Sequence, residues 1–217
     1  MLCLDEIFSL KDKLNDKYNF ELIHELVKYT GLTFSVKNFN KVPAKGRLLI
    51  VANHPLAGAD WLLMVECLGA IRKDIKVVIN KDVNTLIINL RDLFIPVDTY
   101  ASFNDLARKQ IGESLEREEA VIIYPAGGIS FLTWKGVMDK SWKNGVARFS
   151  REFSADVLPV YIRGRFRKIF YLYPLRLRRF LIVRNMLHPF QKKVDLVIGD
   201  RLPYEELIKE PDLAVVS

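Results

Sequence analysis

His54 and Asp60 stand six residues apart in the segment Val51-Ala-Asn53-His54-Pro55-Leu-Ala-Gly58-Ala-Asp60. The segment follows an apolar run, Leu48 to Ala52, that reads as a buried strand. An imidazole at the carboxyl end of a strand, with a carboxylate one loop away, is how an α/β protein builds a general base. The acid holds the ring in one tautomer and stabilises its protonated form. Asn53 precedes the histidine and is a candidate substrate contact.

A second run, Tyr124-Pro125-Ala126-Gly127-Gly128-Ile129-Ser130, follows another continuous apolar stretch, Ala120 to Tyr124. Adjacent glycines after a buried strand let backbone amides approach a phosphate or a developing oxyanion, although the same pair also suits an ordinary turn. Gly127, Gly128 and Ser130 therefore join the candidate binding residues. Downstream come Asp139-Lys-Ser-Trp142-Lys143 and Leu158-Pro-Val-Tyr-Ile162-Arg163-Gly-Arg165. Neither His24 nor His188 has neighbours at metal-ligand spacing, and no serine or cysteine is placed as an obvious nucleophile.

The elements that must carry these residues alternate. Strands are expected at Arg47–Ala52, Ile75–Ile79, Leu93–Val97, Ala120–Tyr124, Val157–Ile162 and Val194–Ile198. Helices are expected near Trp61–Ile71, Val83–Leu90, Phe103–Glu118 and Ser141–Phe153. Such alternation implies an α/β fold: a single domain with a largely parallel or mixed central sheet flanked by helices. Sites in such sheets collect at the carboxyl ends of strands, where both motifs lie. Apolar positions at helical spacing from Leu2 to Tyr29 predict one or two amphipathic helices before the first strand. Their many acids favour packing on the domain over an anionic bilayer. The expected organisation is residues 1–45 as an N-terminal helical segment and 46–203 as a catalytic core.

With 217 residues, half of them hydrophobic, the chain can bury one sizeable core. Two cysteines suit a reducing compartment. The start of the chain lacks the pattern of a signal peptide, and no uncharged apolar run reaches the ~18–20 residues of a membrane span. A cytoplasmic protein is expected. The net charge of +7 is uneven: Arg151 to Lys193 holds eleven Lys/Arg against two acids, leaving the remainder net negative. Interleaved Phe166, Phe170, Tyr171, Tyr173 and Phe180 suggest that this segment meets lipid head groups or clamps the phosphates of a thioester donor.

Taken in order, Asn-His-Pro followed by Asp60, Phe-Ile-Pro-Val, Tyr-Pro-Ala-Gly-Gly-x-Ser and Leu-Pro-Val-Tyr-Ile resemble the glycerolipid acyltransferase superfamily, the lysophospholipid and glycerol-phosphate acyltransferases of membrane lipid synthesis. The resemblance runs from about Leu48 to Pro203. Three features resemble in particular the branch of hemolysin-like proteins and aminolipid (ornithine or glycine lipid) O-acyltransferases. These are the five residues between His54 and Asp60, Pro-Ala-Gly in place of Pro-Glu-Gly, and Trp142-Lys143. The usual third motif carries a glutamate and an arginine linked to the acceptor's phosphate; here those places hold Ala126 and Ile129. Either Arg163 and Arg165 supply the positive charge, or the acceptor head group is not a phosphate monoester.

The resemblance implies transfer of a fatty acyl group from acyl-CoA or acyl carrier protein to a lysolipid hydroxyl. His54 would be the general base and Asp60 its orienter, with no cofactor and no metal, at the inner face of the membrane. Two other readings fit parts of the chain: an inactive lipid-binding relative, and a basic nucleic-acid-binding domain. The second leaves the His54/Asp60 and Gly127-Gly128 motifs unexplained, so no nucleic-acid partner is expected.

Overall fold

Strand β2 (Leu48–Ala52) is buried at every position. Its residues alternate between two cores: Leu48, Ile50 and Ala52 on one face, Leu49 and Val51 on the other. A continuous apolar run therefore reads as a central strand covered on both sides. The computed structural model describes residues 12–98, 105–174 and 187–209, together with Glu6, Ser9, Leu10, Leu177, Leu181, Ile182, Arg184 and Asn185.

The other strands of the main sheet are β1 (Thr33–Lys37), β3 (Ile75–Asn80), β4 (Phe94–Val97), β5 (Ala120–Ile123), β8 (Asp156–Arg163) and β9 (Lys193–Ile198). A separate antiparallel hairpin pairs β6 (Phe131–Thr133) with β7 (Gly136–Met138). The seven-stranded order is β1-β9-β8-β2-β5-β3-β4. Every neighbouring pair is parallel except β8 and β9.

Helices α1 (Asn19–Thr30) and α2 (Gly58–Leu68) cover one face, where Leu22, Ile23, Leu63 and Met64 meet the sheet. On the other face lie α4 (Asp105–Glu116), α5 (Gly145–Phe153) and α6 (Tyr204–Lys209), through Ile111, Leu115, Phe149 and Leu207. The short α3 (Lys81–Leu86) follows β3, capped by the Asn80 side chain, which accepts the Asp82 amide hydrogen. The α/β expectation holds, with the sheet mixed at one edge.

At the amino ends of the strands, opposite the motifs, Arg72 is buried and donates to Asp74 and to the carbonyls of Pro43, Gly46 and Glu118. One guanidinium thus ties together the entries to β2, β3 and β5.

Several boundaries differ from expectation. The stretch before residue 46, read as helical, also contains the edge strand β1, which extends the sheet beside β9. Its alternately exposed Thr-Phe-Ser-Val-Lys gives little apolar signal. The Val83–Leu90 helix is instead α3 followed by a 3₁₀ turn, Ile88–Leu93. Helix α5 begins at Gly145 rather than Ser141. Of the N-terminal helical positions, Leu4, Ile7 and Phe8 lie outside the described residues, as do Phe103, Arg176, Arg178, Arg179 and Phe180. Within α1, Leu22, Ile23 and Val27 face the core, so that helix packs on the domain.

Candidate active site

Three adjacent parallel strands, β8, β2 and β5, end at one rim. His54 lies two residues beyond β2, Tyr124 one beyond β5, and Arg163 closes β8. Asn53 locks two of these ends together: its amide nitrogen donates to the Ile162 carbonyl (2.9 Å), and its oxygen accepts the Ile162 amide (2.7 Å). The structure thus places Asn53 as a clamp between strand ends.

His54 Nδ1 lies 2.7 Å from Asp60 Oδ2, which also accepts the Leu56 backbone amide at 2.9 Å. With Asp60 ionised, its oxygens only accept, and Nδ1 is then the nitrogen that donates. Among the described residues nothing bonds to Nε2. The imidazole is 19% exposed and the Asp60 side chain wholly buried. Burial pushes the Asp60 carboxyl above its ordinary 3.8, against the pull of His54 and of the Leu56 amide. Its other oxygen, Oδ1, is buried without a partner among the described residues.

The loop between the two residues is held in an unusual shape. Ala57 has φ 54° and ψ −120°, a backbone that residues with a β-carbon rarely adopt. Its methyl packs against Phe166 and Phe170, whose rings stack at 4.1 Å. Gly164 passes so close to Leu56 that a β-carbon there would meet its side chain at 2.5 Å. Asn185, buried, donates to the Leu56 carbonyl at 3.2 Å. The expected head-group position of Phe166 and Phe170 is therefore corrected. Both are nearly fully buried, roofing the His54–Asp60 loop, because the segment after β8 folds back over α2's entry.

The second motif meets the first through main chain and one carboxylate. Ser130 donates its amide to the His54 carbonyl (2.9 Å) and its hydroxyl to Asp139 Oδ1 (2.5 Å). Asp139 Oδ1 also accepts the His54 amide (3.3 Å), and its Oδ2 accepts the Trp142 indole (3.2 Å). The Tyr124 ring lies 4.4 Å from the His54 ring, tilted by 30°. The Tyr124 hydroxyl is buried without a partner among the described residues, and burial raises its pKa well above 10.

Gly127 takes a positive φ of 65° and donates its amide to the Tyr124 carbonyl (3.0 Å). That N–H closes a turn and is not a free donor, contrary to one expectation for it. The Gly128 amide has no partner among the described residues, and a β-carbon there would meet nothing within 4 Å. Lys143 lies over this turn: its Nζ is 3.1 Å from where a Gly127 β-carbon would sit, and its amide donates to the Pro125 carbonyl. Arg163 and Arg165 are exposed just beyond the Asn53 clamp and make no ion pair among the described residues.

Sequence reasoning assigned no role to Asp139, Tyr124 or Lys143. Trp142-Lys143 was visible as a motif, but nothing in spacing shows that Asp139 reaches back 85 residues to His54. His24 pairs with Glu66 and His188 with Glu6. Among the described residues, no cluster of three or more His, Cys, Asp or Glu could hold a metal.

A model of the acyltransferase family matches residues 5–190. The chain belongs to that family. It is similar to the lyso-glycine lipid O-acyltransferase of Phocaeicola vulgatus, at 25% identity over 92% of this chain and 75% of the relative. It is also similar to the lyso-glycine lipid O-acyltransferase of Bacteroides thetaiotaomicron, at 28% identity over 77% of this chain and 61% of that one. Its fold matches the crystal structure of the 1-acyl-sn-glycerophosphate acyltransferase PlsC from Thermotoga maritima. The TM-score is 0.58 and the identity 18%, over 98% of this chain and 81% of the other. The resemblance to glycerolipid acyltransferases, and within them to the aminolipid branch, therefore holds.

Proposed function

We propose that this acyltransferase-family chain moves a fatty acyl group from an acyl-CoA or acyl carrier protein thioester to the hydroxyl of a lysolipid, with His54 as general base. The observation that carries the reading is the His54 Nδ1 bond to the buried Asp60, which leaves Nε2 free at the rim. The acceptor hydroxyl gives its proton to Nε2 as its oxygen attacks the thioester carbonyl. The tetrahedral intermediate collapses, the carbon–sulfur bond breaks, and the leaving thiolate takes the proton back from the imidazolium, which restores neutral His54. The imidazolium formed meanwhile faces Asp60, whose charge is most useful at that moment. Base catalysis of this type contributes ~10²–10⁴-fold.

The Gly128 amide is the proposed donor to the oxyanion, since the Gly127 amide is committed to the turn. Direct transfer fits better than an acyl-enzyme. Cys67 is buried on α2 with its thiol pushed up to about 12, and the Ser130 hydroxyl donates to Asp139.

A lyso-aminolipid is the favoured acceptor. Ala126 and Ile129 stand where an acceptor-phosphate glutamate and arginine would be in related chains, and both curated relatives are named for a lyso-glycine lipid. Arg163, Arg165 and Lys143 are the cations available to an anionic head group. The enzyme would work at a membrane surface; among the described residues no helix is long and apolar enough to cross one.

The test gives purified protein acyl-CoA or acyl carrier protein thioester together with lyso-glycine lipid or lysophosphatidic acid. Thioester consumption with the lyso-aminolipid, and little with lysophosphatidic acid, is expected. No transfer to any lysolipid from either donor refutes the reading.

A further inference from the structure

Trp134 is the most exposed large apolar side chain on the described surface, at 91%. It sits at the turn of the β6–β7 hairpin, which begins directly after Ser130 and hence leaves the active-site rim. The turn is built rather than loose. Thr133 Oγ1 donates to the Gly136 carbonyl (2.8 Å) and accepts the Lys135 amide (3.2 Å). Below the tip, Phe131 and Met138 face each other across the hairpin, and both are exposed.

Strand β6 packs beside the 3₁₀ helix Lys168–Leu172. In a 3₁₀ helix, residues three apart share a face. Phe170 points inward to the roof over Ala57, while Ile169 and Leu172 point outward, Leu172 with 76% of its surface in water. Two neighbouring elements at the rim thus each present bulky apolar groups to solvent. Single exposed apolar residues are ordinary; a tryptophan at a hairpin tip beside an outward leucine and isoleucine is a patch.

Among the described residues, the charged side chains of the hairpin turn and of the segment leading into the 3₁₀ helix are basic. Lys135 holds its ammonium 5.0 Å from the Trp134 ring centre, and Arg165, Arg167 and Lys168 are exposed alongside the 3₁₀ helix. No acid occurs from Val157 to Val194. Asp139, the acid nearest the hairpin in sequence, accepts three hydrogen bonds within the site. A second copy of this chain would bring like charge against like. An anionic bilayer supplies the opposite charge and an apolar layer that suits tryptophan at head-group depth.

We propose that the β6–β7 hairpin, led by Trp134, and the Ile169/Leu172 face of the adjoining 3₁₀ helix form a dock for an anionic phospholipid bilayer. It holds the His54 rim against the surface in which a lysolipid resides. The dock gains its meaning from the proposed acyl transfer, but its binding is measured without it.

The experiment co-sediments the full chain with vesicles of phosphatidylglycerol and phosphatidylcholine, and with phosphatidylcholine alone, at low and high salt. Salt-sensitive binding to the anionic vesicles is expected, with a blue shift in tryptophan emission. Trp61 is buried and Trp142 half-buried, so the shift should vanish in Trp134→Phe. Trp134→Ala and Leu172→Ser should each weaken partitioning roughly tenfold, and Lys135→Glu with Lys168→Glu should weaken it on anionic vesicles only. Trp134→Ala should lose turnover on vesicle-embedded lysolipid and keep it on a short-chain lysolipid free in solution. Equal vesicle binding by wild type and Trp134→Ala overturns the dock. So does a dimer in solution that Trp134→Ala dissolves, or a patch that binds acyl carrier protein but no vesicle. Vesicle binding lost in Trp134→Ala from a chain that transfers no acyl group would keep the dock and remove the proposed function.

Discussion

Asp139 holds the backbone of His54: its Oδ1 accepts the His54 amide at 3.3 Å and the Ser130 hydroxyl at 2.5 Å. One carboxylate on the far side of the hairpin thereby sets the distance between the His54 loop and the glycine loop. Asp139→Ala should lower kcat by about 10–100-fold, because small displacements of a base carry penalties of that order. Asp139→Asn keeps an oxygen for both donors and loses only the Trp142 indole bond, so it should recover most of the rate. Steady-state kinetics of the two variants check this; equal loss in both would mean that the charge matters rather than the grip.

Asp60, the orienter in the proposed mechanism, carries a stability cost. Its folded value lies above the ordinary 3.8, with burial the leading cause. Below that range both the folded and unfolded chains hold the proton, and nothing is gained or lost. As pH rises through 3.8 toward the folded value, the unfolded chain releases its proton first and the fold loses stability. Asp60→Asn should therefore lose acyl transfer while its melting temperature stays level or rises against wild type. That advantage should grow from pH 4 toward pH 7. Thermal melts across this range would show it; an advantage that shrinks with pH contradicts the sign.

Tyr124 lends its ring to His54, and its buried hydroxyl has no partner among the described residues. Tyr124→Phe removes an unsatisfied polar group and keeps the ring, so stability should hold or rise by about 1 kcal/mol. The transfer rate should change by less than about threefold, under 1 kcal/mol of barrier. A large loss of rate would give the hydroxyl a part in the chemistry.

Lys143, Arg163 and Arg165 separate by kinetics. If Lys143, Arg163 or Arg165 meets the acceptor's head group, its alanine variant should raise the acceptor KM by roughly tenfold, the worth of one charge-assisted hydrogen bond. The thioester KM should stay level. A rise confined to the thioester would assign that residue to the donor's phosphates.

Much of this site was legible in the chain. The all-apolar Leu48–Ala52 run marks a central strand, and a histidine just past it must emerge at the rim. Positive φ at Gly127 matches the turn that the Gly-Gly pair suggested. Other features depend on contacts between distant segments. Asn53 looks like a ligand-binding amide until Ile162 is seen against it. Phe166 and Phe170 look like membrane aromatics because the fold-back that buries them leaves no periodic trace. Strand β1 is short and half-polar, and only its pairing with β9 marks it as sheet. The β6–β7 hairpin, three residues to a strand, falls below what alternation can signal.

The most direct measurement is the single-turnover rate of acyl transfer by His54→Ala at saturating thioester and lysolipid, with an unchanged melting temperature as proof of folding. The imidazole account predicts a fall of about 10²–10⁴-fold, with thioester and acceptor still bound. A folded variant that keeps its rate within a few-fold of wild type would contradict it.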